Sequence, residues 1–309
     1  MKSPSDPDIH LPYVWSIGIY AGESRSRLAA PSDLRNPILT CAEITDLPAA
    51  FVADPFMIRS GAIWYMFFEV FNNDTYQGEI GLASSANARD WEYRHIVLTE
   101  RYHLSYPYVF EWDDEYYMIP ETLEPGCIQL YKADPFPNKW TPLGKLVEGE
   151  FADPSIFRFR DRWWMFACST PHECDTLRLF MAPRLKGPWS EHPSSPIIQG
   201  DNRSARPAGR VLVLGDTIIR YAQDCVPIYG SHVRAFEISH LTPTEYLERE
   251  SERSPVLTGT GTGWNAVGMH HIDAHLTSDG YWIACVDGQR ANHEALNPAI
   301  SPGPVVKPE

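Results

Sequence analysis

The sequence predicts an all-β fold, specifically a five-bladed β-propeller, on three observations. A strand pair headed by Asp54-Pro55 and closed by Glu69 returns from Tyr106-Pro107 to Glu121 and from Asp153-Pro154 to Cys168, each time across 15 residues. Looser copies start at Arg206-Pro207 and His270-His271, so the heads at 54, 106, 153, 206 and 271 lie 52, 47, 53 and 65 residues apart. Aromatic residues form 12% of the 309-residue chain, ten of them Trp, which suits blades that stack rings on one another. A period of roughly 40–50 residues with several short aromatic and β-branched strands is that of a propeller. No blade can bury both faces alone, and radial packing buries them.

Residues 1–50 are polar and proline-rich, with one strand at 15–20. That strand either closes the ring against the last blade or leads in from outside. Residues 51–290 hold the five blades. The first (51–100) has its third strand at 78–84 and an outer strand at Trp91. The second (101–150) repeats these at 127–133 and Trp140, and the third (151–200) at 177–182 and Trp189. Three outer-strand tryptophans in register read as blade-edge packing. The fourth blade (201–250) has its third strand at 232–238, and residues 242–247 read as a short helical turn. A flexible connector with Gly259, Gly261 and Gly263 leads to the fifth blade at 264–290. Residues 291–309, with Pro298, Pro302, Pro304 and Pro308, read as an extended or disordered tail.

A formal charge of −14 argues against a nucleic-acid partner or an anionic membrane surface. No window approaches 18 apolar residues, so no membrane span is expected. The segment Met1–Pro7 lacks the apolar core of a secretory signal, and the expected compartment is cytoplasmic. Six cysteines sit mostly in apolar runs without paired ligand spacing, which predicts buried free thiols. No metal or cofactor is expected.

The first strand of each blade lines the axis, so Asp54, Tyr106, Asp153, Arg206 and His271 converge on one funnel. Charges gathered there are costly unless they pair or act. Asp54 and Asp153 are the leading catalytic candidates, although Asp-Pro is also ordinary strand-entry chemistry. Glu69 and Glu121 end the second strands of neighbouring blades on the funnel rim. A carboxyl directly after an apolar strand is placed to hold its proton as a general acid. Arg206 can grip a carboxylate or phosphate bidentately or lower the pKa of Asp54 and Asp153. Gln223 and Asp224 offer groups to sugar hydroxyls, and His103 and Tyr106 line the mouth. Alternation puts His271, Asp273 and His275 on one face and His270 on the other. Tyr229 and Trp264 are candidate sugar platforms.

These motifs resemble the five-bladed propeller carbohydrate enzymes, the arabinanases, xylosidases and fructosidases. The resemblance implies that Asp54 is the base and Asp153 the modulator of the acid's pKa. The arabinanase type carries its acid at the head of the fourth blade. Here residues 204–209 read Ser-Ala-Arg-Pro-Ala-Gly, with no Glu, so the role falls to Glu121 or Glu69. Across residues 50–290 the chain is similar to the N-terminal propeller of glucosamine inositolphosphorylceramide transferases and its stand-alone bacterial relatives. Ala53-Asp54-Pro55-Phe56, Leu104-Ser105-Tyr106-Pro107, Ile119-Pro120-Glu121, Arg206-Pro207-Ala208-Gly209 and Ala222-Gln223-Asp224-Cys225 carry that similarity. It implies a carbohydrate or glycoconjugate substrate, with cleavage or transfer of a glycosidic bond by inverting-type carboxylate chemistry. A non-catalytic sugar-binding module and a transferase using an activated sugar are the alternatives.

Overall fold

A computed structural model describes residues 12–292. The tail expected at 291–309 lies almost wholly outside the described residues, as does the segment Met1–Pro7. Five antiparallel sheets surround one axis. The first blade comprises Ala49–Ser60, Ile63–Asn72, Gln77–Ser85 and Glu92–Leu98. The second comprises Ser105–Trp112, Glu115–Glu121, Cys127–Ala133 and Trp140–Glu148. The third is built on Ala152–Phe159, Arg162–Cys168 and Thr176–Ala182, with two short outer strands. The fourth has Leu212–Leu214, Thr217–Asp224, His232–Leu241 and Tyr246–Glu250, with Leu257–Thr258 added along its third strand. In the fifth, Ile272–Leu276 and Trp282–Ala291 are joined by Tyr13–Gly22 from the other end of the chain. All ten residues of that N-terminal strand pair antiparallel with the last strand, from Tyr13 against Ala291 to Gly22 against Trp282. The N-terminal strand closes the ring and covers what would otherwise be an open edge of the last strand.

The hydrophobic core runs in seams between blades rather than in one central mass. Phe56, Phe67, Tyr131, Trp140 and Trp163 belong to the seam joining blades one to three. Phe166, Leu179 and Ile238 join the third to the fourth, and Tyr221, Ile272 and Trp282 the fourth to the fifth. Ile17, Ile19, Met66 and Phe68 close the fifth on the first. The three repeated tryptophans each donate their indole N–H to a carbonyl just upstream, at 3.0 Å: Trp91 to Ala88, Trp140 to Pro137 and Trp189 to Leu185. They fasten blade edges.

Two readings need correction. Residues 242–247 do not form a helical turn. The Thr242 hydroxyl accepts from the Glu245 amide at 3.0 Å, and Tyr246 already starts the outer strand. A side-chain hydroxyl that caps the turn competes with helix formation. The connector at 251–263 is partly strand, because Leu257–Thr258 pairs with Val233 and His232.

One local device repeats at the axis. Asp54, Tyr106 and Asp153 have φ of 52°, 48° and 51°, in the left-handed region. Each sits at a register shift between the first and second strands of its blade. A bulge with a left-handed residue re-aims that side chain at the cost of local strain.

Candidate functional site

The axis has a packed middle and two polar ends. In the middle, Tyr106 is fully buried, and its hydroxyl meets the Ser155 hydroxyl at 2.7 Å and accepts from the Gly209 amide at 2.6 Å. Tyr106 is therefore a hub of the axis rather than part of the mouth where the sequence placed it. His271 is wedged between Phe56 and Tyr106, with ring centroids at 4.5 and 5.3 Å. Burial pulls its pKa down to about 4, which keeps it neutral. Its Nδ1 stands 3.6 Å from Asp54, beyond hydrogen-bond reach.

Asp273 and His275 do not share a site with His271. They form the opposite end, where Asp273 accepts from Arg210 Nε at 2.6 Å, from the Met57 amide at 2.7 Å and lies 3.0 Å from His275 Nε2. Simple alternation fails because residues 270 and 271 precede the regular strand, which begins at Ile272.

The other end gathers Asp54, Glu69, Glu121, Asp153 and Asp287, all buried, around Arg206 and His270. Arg206 Nε donates to Asp153 Oδ2 at 2.6 Å, and Nη2 to Glu121 Oε2 at 3.2 Å. Nη1 donates to the Pro171 carbonyl at 2.7 Å. Each of the three guanidinium nitrogens thus makes a bond to the protein, which fixes the side chain in place. Gln223 donates to Asp153 Oδ2 at 2.8 Å and to the Pro207 carbonyl at 3.0 Å, and so holds Asp153, while its Oε1 is buried without a partner. Asp224 is tied elsewhere, by Arg234 Nε at 2.8 Å and the Val226 amide at 3.0 Å.

Asp54 faces a histidine–carboxylate pair that the sequence reading missed. His270 Nδ1 lies 2.8 Å from Asp287 Oδ1, and His270 Nε2 lies 3.6 Å from Asp54 Oδ1. Asp287 also accepts from the amides of Asp54, His270 and His271. Three of these four donors meet Oδ1 and one meets Oδ2, and together they fix the carboxylate that orients His270. Asp54, His270 and Asp287 are the one group of potential metal ligands among the described residues. Burial pushes Asp54 up to about 7, with Asp153 and Asp287 adding to it and His270 opposing. Burial also raises Asp153 to about 7, against the pull of Arg206. Burial opposes the charge on His270, but Asp287 and Asp54 hold its pKa above the ordinary value. Asp54 and His270 thus compete for a proton.

Unlike Glu121 and Asp153, Glu69 has no guanidinium partner. Burial, reinforced by the charges of Asp54 and Glu121, lifts its pKa well above the usual carboxylate range. The Gly78 amide donates to His103 Nδ1 at 2.9 Å, which leaves the proton on Nε2, 3.3 Å from Glu69 Oε1. Burial keeps His103 neutral by lowering its pKa. The rim is aromatic. Trp15 stacks on His270 at 4.0 Å, and Tyr229, 42% exposed, covers Arg206 at 5.2 Å from its guanidinium carbon. Trp264 stands elsewhere, packed against Gly18 and Gly288.

Asp287 had a signal in the sequence. It ends the apolar run 282–286 as Glu69 and Glu121 end theirs. Trp15 had none, because its place depends on ring closure by the distant N-terminal strand.

The propeller is similar to an α-L-arabinanase of Cellvibrio cellulosa, with a TM-score of 0.54 and 18% identity over 81% of this chain and 98% of that one. An exo-β-1,3-galactanase of Clostridium thermocellum matches with a TM-score of 0.57 at 14% identity, over 77% of this chain and 59% of that one. At these identities the likeness is one of fold. The glucosamine inositolphosphorylceramide transferase 1 of Oryza sativa subsp. japonica is 36% identical over 298 residues, covering 89% of this chain and 40% of the relative. That of Arabidopsis thaliana is 34% identical, covering 89% and 39%. The chain thus spans about two-fifths of the length of these relatives. The profile described as "Glucosamine inositolphosphorylceramide transferase 1, N-terminal" matches residues 12–289, and the chain belongs to that family of carbohydrate-related propellers.

Proposed function

We propose that the carboxylate end of the axis binds a sugar of a glycan or glycoconjugate and cleaves or transfers its glycosidic bond. Glu69 is the acid and Asp54 the base. The observation that carries this reading is the contrast between Glu69 and Glu121. Glu121 is tied down by the protein, accepting from Arg206 and from the Asp153 amide. Glu69 has no cation and keeps its proton. In hydrolysis, Glu69 gives that proton to the departing glycosidic oxygen. Water forms the new bond to the anomeric carbon, and its proton passes to Asp54, with His270 oriented by Asp287 beside it. Asp153, held by Arg206 and Gln223, positions the ring and tunes the field.

A screen of aryl glycopyranosides and glycofuranosides tests this, with Asp54→Asn and Glu69→Gln run alongside. Turnover lost in both variants supports it. Turnover that survives in Glu69→Gln but not in Glu121→Gln reassigns the acid. A second reading is favoured by the engagement of Arg206, Gln223 and Asp224 with the protein itself. On that reading the funnel only binds sugar, for a larger protein whose other part does the chemistry. The relatives' name makes glucosamine and inositol phosphates the first ligands to titrate. Binding that persists in Asp54→Asn, with no turnover on any substrate, would favour this second reading. The cytoplasmic location expected from the sequence is part of the same proposal, and fractionation of the native host tests it.

A further inference from the structure

We propose a second binding site, in the cleft between the fourth blade and the loop that follows the ring-closing strand, for the phosphate group of a small phosphate monoester. The cleft holds about 350 Å³ and is lined by Arg25, Ser26, Tyr221, Glu237, Ser251 and Arg253, among others. Its floor is a patch of sheet. Ile219 pairs with Glu237 and Tyr221 with Ala235, so these side chains stand on one face and point into the cleft. It is separate from the axial carboxylates.

Two observations point to an anion. The Tyr221 hydroxyl belongs to a residue only 2% exposed, yet it has no hydrogen-bond partner. A buried donor without a partner is costly and is usually satisfied. Arg25 lies near enough to act on that hydroxyl's titration, which burial raises and Arg25 opposes. Neither Arg25 nor Arg253 forms an ion pair among the described residues, in a chain of formal charge −14 with carboxylates in excess. The Glu237 carboxylate is already met by Arg249 Nη2 at 3.3 Å.

The donors suit a tetrahedral oxyanion better than a planar carboxylate. The cleft is lined by the guanidiniums of Arg25 and Arg253 and the hydroxyls of Tyr221, Ser26 and Ser251, and a phosphate monoester offers three terminal oxygens to receive such donors. The volume leaves room for a monosaccharide-sized group beyond the phosphate, with Glu252 at the rim to accept from its hydroxyls.

Calorimetric titration of the whole chain with inorganic phosphate, glucose 6-phosphate and glucose tests the site. Both phosphates should bind in the cleft, any glucose binding in the axial funnel should be indifferent to changes at Tyr221, and a tighter fit for glucose 6-phosphate would place the sugar in the cleft as well. Tyr221→Phe keeps the ring and its packing, and it should weaken phosphate binding by roughly tenfold, as should Arg25→Gln. Asp54→Asn should leave that binding unchanged. Absence of binding by either phosphate would overturn the proposal. So would affinities untouched in both cleft variants, or binding abolished by Asp54→Asn, which would put the anion in the axial funnel.

Discussion

Arg206 Nε donates to Asp153 Oδ2 at 2.6 Å, and the same guanidinium reaches Glu121 Oε2 at 3.2 Å. This single side chain ties the head of the fourth blade to the head of the third and to the second strand of the second. Both carboxylates are buried, so their mutual repulsion would be severe without it.

Replacement of Arg206 by Met should therefore destabilise the fold by about 3–5 kcal/mol at pH 8, because it leaves two buried carboxylates without a cation. Urea unfolding at pH 8 and pH 5 checks this. The penalty should shrink at pH 5, where Asp153 can hold a proton. Adding Glu121→Gln to Arg206→Met should recover part of the loss.

Asp54 carries a pKa raised from 3.8 to about 7. The folded protein holds a proton there that the unfolded chain has already released. Ionisation of Asp54 thus works against the fold, and its contribution to stability falls as pH rises from about 4 to about 7. Asp54→Asn should raise stability at pH 8 by about 1–3 kcal/mol and leave it nearly unchanged at pH 4. Thermal melts of both proteins across that range measure the difference, while activity or sugar affinity is lost or altered in the variant.

Asp273 behaves in the opposite sense. Burial works against its charge, but Arg210 and His275 hold its pKa below the ordinary value. Its contribution is present above the ordinary carboxylate pKa and is lost as pH falls below it. Asp273→Asn should cost about 3–5 kcal/mol at pH 7, since Arg210 is left buried and unpaired. The gap from the parent protein should narrow as acid unfolding begins. Sugar binding should survive, because Asp273 lies at the end of the axis away from Asp54.

Deletion of residues 1–22 removes the outer strand of the fifth blade and bares ten paired residues of its neighbour. The truncated chain should lose its cooperative melt and associate in size-exclusion chromatography. A synthetic peptide of residues 12–24 should restore a monomeric, cooperatively melting species. A truncated chain that melts as the parent does would show that four complete blades hold the ring unaided.

The blade count and the axial heads were legible because Asp54, Tyr106, Asp153 and Arg206 each precede Pro at a near-constant interval, and local turn chemistry repeats with the fold. Trp91, Trp140 and Trp189 were legible for the same reason. His270 was misplaced because alternation was applied to residues ahead of the regular strand. Tyr106 read as a mouth residue because its head position resembles that of Asp54. The structure buries it instead against Ser155 and Gly209, both far away in sequence. The partner of a charge is equally hidden: nothing near Arg206 in the chain announces Glu121, 85 residues earlier.

The left-handed bulges at Asp54, Tyr106 and Asp153 have a consequence for how such a protein diverges. The backbone supplies the same aimed socket three times, whatever side chain is plugged into it. Two sockets hold acids and one holds a phenol, with φ within a few degrees across all three. The side chain at each socket can thus be exchanged one blade at a time while the backbone device that aims it stays constant.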